Sequence, residues 1–189
     1  VTSLCPHLEG YSLRGERKRD YHASVFYQLP WFKEAYKPLA EFICKTGTLF
    51  DKGLEEAPIL LIEPLQTAYI KQNPKNEKKI NELQSNFENI TNELSGNHML
   101  YNYGDESIME HFGSVKKNKL VIGKCEYSTV IMPYMQSLTE NTLKLLTEFS
   151  QNGGKLYFIG EMPSLVNGVK DERLKRLKAE KADLNAIKK

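Results

Sequence analysis

The fold class of this chain is decided by a short apolar run, Pro58-Ile59-Leu60-Leu61-Ile62. A run in which no polar residue alternates with the apolar ones is typical of a strand buried on both faces, as strands of parallel sheets are. Similar runs follow at 127–132 and 155–160, the first of them ended by Pro133. We therefore predict a parallel sheet with the strands at 58–62 and 127–132 near its centre and the strand at 155–160 beside the latter.

Helical segments separate these strands. Apolar residues recur at spacings of three and four from Ile80 to Leu94, and Gly96 is placed to end that helix. Thr139 can cap a later helix, which the glycines at 153–154 stop. Strands that alternate with helices across short loops are typical of βαβ units, so the sequence predicts an α/β fold with an open parallel sheet.

The remaining patterns divide the chain into three parts. Residues 1–31 show no sustained periodicity and are predicted to form an irregular arm. An α/β domain is predicted over 32–170, opening with a helix at 32–48. The segment 171–189 carries apolar residues near one helical face and is predicted to be a helical tail. Weaker patterns in the domain predict strands at 99–104 and 119–123 and a short helix at 105–112 that ends at Gly113.

Composition limits the partners of the chain. With 40% hydrophobic and 26% charged residues among 189, most of it is expected to fold. A formal net charge of +2 is far from the basic balance of dedicated nucleic-acid binders, so no nucleic-acid partner is predicted. No apolar run approaches the roughly 20 residues that cross a bilayer, so no membrane partner is predicted either. Because it begins at Val1 without a methionine, we expect the chain to be a fragment of a larger protein.

The motifs of common enzymes are not found. The three cysteines form no C-x-x-C pair, which predicts neither disulfides nor a zinc site and favours a reducing compartment. The closest approach to a nucleophile motif, G-x-[SC]-x-G, surrounds Cys125, but Tyr127 replaces its second glycine and a strand follows in place of a helix. Rossmann and P-loop motifs are missing, so no catalytic residue, metal or cofactor is predicted. Two alternatives remain: a free-standing cysteine-dependent hydrolase or amidotransferase-like enzyme that uses Cys125, and a flavodoxin-like ligand-binding module.

The arm carries a charged cluster at 14–20 and an aromatic series from Tyr21 to Tyr36. Lys and Arg can neutralise phosphates, but the interleaved Glu16 and Asp20 favour a solvated or internally paired face. The aromatic series suits either a sugar-stacking platform or a packing seam. We predict that residues 8–36 form a docking arm whose partner is missing from this chain, so that the arm is partly exposed, ordered by crystal neighbours or packed on another copy. The chain should then self-associate, or exchange its backbone hydrogens faster across 8–30 than across 127–160.

The arm also resembles a known family. Residues 11–20 and 27–32 read Y-S-L-R-G-E-R-K-R-D and Y-Q-L-P-W-F. They resemble a stretch that follows the catalytic (β/α)₈ barrel in large bacterial glycoside hydrolases of the alpha-L-rhamnosidase-like kind. The usual form there is Y-S-x-x-G-x-R-K-R-D-Y-P-P, then Y-Q-x-P-W-W. This chain departs from it at His22-Ala23 and at Phe32.

The later part of the chain, through residue 165, resembles the glutamine-amidotransferase-like domain attached to those hydrolases. A similar domain of bacterial beta-galactosidases mediates trimerisation and lacks the amidotransferase nucleophile. The resemblance implies a three-layer open parallel sheet of flavodoxin-like or class I glutamine-amidotransferase-like architecture over 32–170. It also implies that the arm at 1–31 follows a catalytic barrel, whose paired carboxylates lie upstream of Val1.

In functional terms, the resemblance implies a non-catalytic accessory domain, structural or oligomerising, of a glycoside hydrolase. Its partners would be the catalytic barrel of the same polypeptide and possible further copies of the chain, with the carbohydrate substrate reached through the parent enzyme. A bacterial cytoplasmic location is favoured, and secretion of the parent enzyme is also compatible with the sequence. Arm residues implied to contribute to the neighbouring substrate site are Arg14, Arg17, Lys18, Asp20, Tyr27 and Trp31.

Overall fold

The structure of the chain, a computed structural model, describes residues 30–51, 53–75 and 77–183. The chain divides into two compact units, Val1–Leu54 and Glu55–Lys189. The described part of the first unit is essentially one helix, α1 (Phe32–Asp51), none of whose residues is buried. The predicted helix at 32–48 is therefore confirmed and continues for about one further turn.

The second unit alternates strands and helices. Its elements are, in chain order, β1 (Ile59–Ile62), α2 (Leu65–Lys71), α3 (Lys78–Gly96), β2 (Tyr101–Gly104), α4 (Glu106–Phe112), β3 (Gly113–Lys116), β4 (Lys119–Ile122), β5 (Cys125–Tyr127), β6 (Thr129–Met132), β7 (Ser137–Leu138), α5 (Glu140–Gln151), β8 (Lys155–Phe158), β9 (Leu165–Val166), β10 (Val169–Lys170), a 3₁₀ helix (Glu172–Arg176) and β11 (Glu180–Lys181).

Five strands form a parallel sheet in the order β2-β1-β6-β8-β11. The predicted parallel sheet is confirmed, with β1 and β6 inside it and β8 beside β6. Helices flank both faces. Leu60, Ile62 and Val130 share a buried cluster with α5, whereas Ile59 and Leu61 share another with α3. Every residue of β1 is buried, which is why its sequence is continuously apolar.

An antiparallel sheet of β3, β4 and β5 was not predicted. Residues 113–116 were not expected to form a strand, because Gly113 resembled a simple helix stop. The run at 127–132 is divided between two sheets, since Tyr127 ends β5 and Thr129 begins β6. Ser128 lies between them, and its main-chain N–H donates to the carbonyl of Pro58 at 3.0 Å. A third small sheet contains β7, β9 and β10.

The predicted helical tail is wrong for the described residues 171–183. After the 3₁₀ helix, β11 pairs parallel with β8, and the Ala182 N–H donates to Phe158 at 2.9 Å. Leu174 and Leu177 are buried in the same cluster as α5. A spacing of three suits a 3₁₀ helix as well as an α-helix, and the open edge of β8 offers backbone partners that a free helix lacks. Residues 184–189 lie outside the described residues.

Arg173 ties this segment to α5. Its guanidinium donates to both carboxylate oxygens of Glu140 at 2.8 and 2.6 Å, and to Asp171 at 2.6 Å. These hydrogen bonds from Arg173 hold the pKa of both carboxyl groups below their usual range. The C-terminal segment is thus fixed to the second unit by burial, by strand pairing and by charge.

Candidate functional site at the carboxyl edge of the parallel sheet

The strand order points to a candidate site between β1 and β6. After β1, the chain forms β2 on one side of β1 and then β6 on its other side, so the strand order reverses at β1. Open α/β sheets bind ligands at the carboxyl ends of the strands next to such a reversal. The segments leaving this edge are Glu63–Thr67 after β1 and Pro133–Ser137 after β6. Side chains and main-chain N–H groups of these segments therefore decide what the site can bind.

Thr67 closes the crevice between the two segments. Its side chain is fully buried, and its Oγ1 accepts hydrogen bonds from the main-chain N–H of Gln136 at 2.7 Å and of Ser137 at 3.3 Å. The hydroxyl of Ser137 is itself engaged, since it accepts from the Gly168 N–H at 3.1 Å. The main-chain N–H groups of Gln136 and Ser137 at this edge are thus used inside the protein.

The amino end of α5 is capped by protein groups. Thr139 is the N-cap, and its Oγ1 accepts from the Thr142 N–H at 3.2 Å. Glu106 Oε2 accepts from the Thr139 N–H at 2.6 Å, and Asn167 Oδ1 from the Glu140 N–H at 3.3 Å. A helix amino end attracts anions because its free N–H groups and dipole are positive there. Here the chain's own carboxylate occupies that position.

Glu106 is placed by the helix that it begins. Asp105 caps α4 by accepting from the N–H groups of Ser107 and Ile108, which puts Glu106 in the first turn, facing α5. The side chain is only 4% exposed, and its Oε1 is buried without a hydrogen-bond partner among the described residues. Sequence reasoning missed Glu106, because an acidic residue after a capping Asp normally lies on the surface.

Two carboxyl groups and a tyrosine lie near each other at the ends of β1 and β2. Partial burial, with the charge of Asp105, raises the pKa of Glu63 above its usual range. The hydrogen bond with Tyr101, together with burial, raises the pKa of Tyr103 to about 12. Both shifts make the loss of a proton from these groups less favourable than it is for the same groups in water.

The raised pKa of Glu63 predicts a stability effect. Because folding favours protonated Glu63, its ionised form destabilises the folded state at pH 7, and this cost disappears as the pH falls through the folded-state pKa. We expect Glu63→Gln to raise the free energy of unfolding at pH 7, by less than about 1 kcal/mol since the group is partly solvated.

Urea unfolding of both proteins at pH 7 and near pH 4 measures this difference. The gain from Glu63→Gln should shrink at the lower pH. A gain that is the same at both pH values would show that the substitution acts through something other than the charge.

Five of the six predicted site residues lie in the part of the chain before residue 30, which the structure does not describe. Arg14, Arg17, Lys18, Asp20 and Tyr27 lie outside the described residues. Trp31 is described and lies immediately before α1. It is 43% exposed, and its ring centroid is 6.4 Å from that of Phe32. The predicted contribution of all six residues to a neighbouring substrate site stays a prediction.

Cys125 lies in a hairpin and not on a strand-to-helix turn. It is half-buried in β5 opposite Ile122, and Gly123 provides the positive φ of the connecting turn. A strand follows the motif, as predicted. Gly153 and Gly154 stop α5, also as predicted: Gly153 has a φ of 87°, and the Gly154 N–H donates to Phe149 at 2.9 Å. A Cβ on Gly154 would clash with the Phe149 ring.

Among the described residues, no group of three or more His, Cys, Asp or Glu side chains is arranged to hold a metal ion. The helices in the described ranges are each too short or too polar to cross a membrane. The chain matches no family model, and no curated protein or solved structure matches it.

Proposed function

We propose that this chain is a non-catalytic accessory part of a carbohydrate-active glycoside hydrolase, with a flavodoxin-like, amidotransferase-like second unit that serves structure or oligomerisation. Counted along the chain, the strands of the parallel sheet are ordered 2-1-3-4-5, which is the flavodoxin-like order. The resemblance of residues 11–32 to the stretch after a hydrolase barrel supports the identity of the parent.

The observation that carries the proposal is the capped amino end of α5. An enzyme of this architecture needs open N–H donors or a nucleophile on a sharp turn between a central strand and the next helix. In this chain, two N–H groups of the connection from β6 to α5 already have protein acceptors, since Gln136 donates to Thr67 Oγ1 and Thr139 donates to Glu106 Oε2. A carboxylate held at 2.6 Å from the Thr139 nitrogen repels the anionic groups that such a site binds. This favours a structural role.

The proposal predicts an unreactive Cys125. An activated cysteine is a thiolate in an electropositive, accessible place, and it labels fast near neutral pH. Cys125 is half-buried beside Tyr127, whereas Cys44 is an exposed cysteine of α1. In variants that keep one cysteine each, we expect Cys125 to react with a thiol reagent at pH 7 no faster than Cys44. The full chain is expected to hydrolyse neither glutamine nor aryl glycosides above background.

Turnover that persists through purification and is lost in Cys125→Ala would contradict the proposal and favour the cysteine-dependent alternative. The parent is tested separately by the coding sequence upstream of Val1, where a barrel with paired carboxylates is expected. Deleting residues 55–189 from that whole protein should leave its hydrolysis chemistry intact while weakening stability or assembly.

A further inference from the structure

Two Asn-Gly dipeptides occur in the chain, Asn152-Gly153 and Asn167-Gly168. An asparagine side chain can be attacked by the main-chain nitrogen of the next residue, and glycine, which has no Cβ, hinders this attack least. The attack converts the asparagine to an acid with loss of ammonia, a deamidation. Because both dipeptides share this chemistry, the structure around each of them decides which one reacts.

Asn152-Gly153 ends α5. Both residues are exposed, and Gly153 has a φ of 87°. The Gly153 N–H donates to the carbonyl of Ser150 at 3.3 Å. The Asn152 side chain has no hydrogen-bond partner among the described residues. One long hydrogen bond therefore restrains the attacking nitrogen, and none restrains the side chain that is attacked.

Asn167-Gly168 forms the turn between β9 and β10, and hydrogen bonds hold it to other segments. The Asn167 N–H donates to Leu138 at 2.8 Å, and its Oδ1 accepts from the Glu140 N–H at 3.3 Å. The Gly168 N–H donates to the hydroxyl of Ser137 at 3.1 Å, and Ser137 is fully buried. The turn is exposed, yet both its attacking nitrogen and its asparagine side chain are engaged.

The reaction at Asn152 needs only water. The Gly153 nitrogen gives its proton to solvent and bonds to Asn152 Cγ, the Cγ–Nδ2 bond breaks, and the side-chain nitrogen takes up a proton and leaves as ammonia. Water then opens the cyclic imide. Opening at Cγ gives aspartate, and opening at the main-chain carbonyl gives isoaspartate, in which the chain continues through Cβ. Nothing is oxidised or reduced.

Ring closure requires a local opening of the structure. At Asn152 the ψ is 8°, so the peptide that leads to Gly153 has to rotate before its nitrogen reaches Cγ. Helix ends fray, and this rotation first breaks the 3.3 Å hydrogen bond of the last turn. The same rotation at Asn167 breaks hydrogen bonds that connect the turn to β7 and to the amino end of α5, so it costs more.

We propose that Asn152 is a site of spontaneous deamidation in the folded chain and that Asn167 is protected from the same reaction. The hydrogen bonds around the two dipeptides carry this contrast, since the chemistry of both is the same. The proposal goes beyond the accessory role of the chain and does not depend on it.

Conversion of Asn152 changes the end of α5. Either product places a negative charge at the carboxyl end of the helix, where the dipole is also negative. Isoaspartate in addition lengthens the main chain just before Gly154, whose backbone lies against the Phe149 ring. Both products are therefore expected to unfold at a lower urea concentration than the original chain, so the second unit loses stability with age.

Peptide mapping of the full chain after incubation at mildly alkaline pH tests the proposal. Trypsin cleavage after Lys155 puts the two asparagines in separate peptides, and mass spectrometry gives the converted fraction of each. We expect Asn152 to convert at least about tenfold faster than Asn167, since two further hydrogen bonds have to break at Asn167.

Two controls assign the difference to the fold. In urea that unfolds the chain, both asparagines should convert at similar rates, because the protecting hydrogen bonds are gone. Ser137→Ala removes the acceptor of the Gly168 N–H. It should speed the conversion of Asn167 several-fold and leave that of Asn152 unchanged, and circular dichroism checks that the variant is folded.

An Asn152 that keeps its amide in the folded chain, or that converts no faster than Asn167, overturns the proposal. So does a difference that persists in urea, because the local sequence would then cause it. An unchanged rate at Asn167 in folded Ser137→Ala overturns the protection assigned to that turn.

Discussion

Leu174→Ala should lower the free energy of unfolding by about 2–5 kcal/mol, the usual cost of truncating a fully buried leucine. Leu174 is 1% exposed and lies in the buried cluster that includes Leu146 and Phe149 of α5. Its loss leaves a cavity at the place where the C-terminal segment joins the sheet. The same substitution in a loosely attached helical tail would have almost no effect, so it measures whether residues 171–183 belong to the second unit.

Urea unfolding followed by circular dichroism gives the comparison. Lys175→Ala is the control. Lys175 is the next residue along the chain, its side chain is exposed, and its ion pair with Glu172 lies on the surface. A change within about 0.5 kcal/mol is expected for the control. Equal, small effects of both substitutions would show that the segment is not part of the cooperative core.

Glu106→Ala should lower the free energy of unfolding by about 1–3 kcal/mol, because it leaves the Thr139 N–H without its acceptor at a partly buried helix end. The loss also removes a negative charge from the amino ends of α4 and α5. Part of this cost is offset, since the unpaired Oε1 of Glu106 is removed as well. We expect the net effect to be destabilising.

Glu106→Gln separates the hydrogen bond from the charge. Glutamine keeps a side-chain oxygen that can accept from Thr139, so its cost should be less than half that of alanine. If the alanine variant were as stable as the glutamine variant, the hydrogen bond to α5 would contribute nothing. A gain of activity or of anion binding in Glu106→Ala would show that the amino end of α5 is a ligand site that the Glu106 carboxylate blocks. It would contradict the structural role proposed for Glu106.

Local sequence patterns determined the framework of the second unit. The apolar run at 59–62 predicts a strand buried on both faces, as it is in the structure. Thr139 and Gly153 mark the two ends of α5, because the first offers a side-chain acceptor and the second adopts a positive φ. The parallel sheet and its central strands followed from these signals, because an apolar run and a capping residue can each be recognised from a few neighbouring residues of the chain.

Tertiary structure decided what those patterns left open. Residues 174 and 177 have apolar spacing that suits a helix, but the open edge of β8 and the cluster around Phe149 make the segment a 3₁₀ helix and an edge strand. The sequence around Glu106 is typical of an exposed acidic residue, but in the structure its carboxylate accepts from the Thr139 N–H at the start of α5. Both outcomes depend on partners at least 20 residues away in sequence, as Glu106 and Thr139 with a separation of 33 show. Local propensity is a weak preference of a fraction of a kcal/mol per residue, and burial against such distant partners outweighs it.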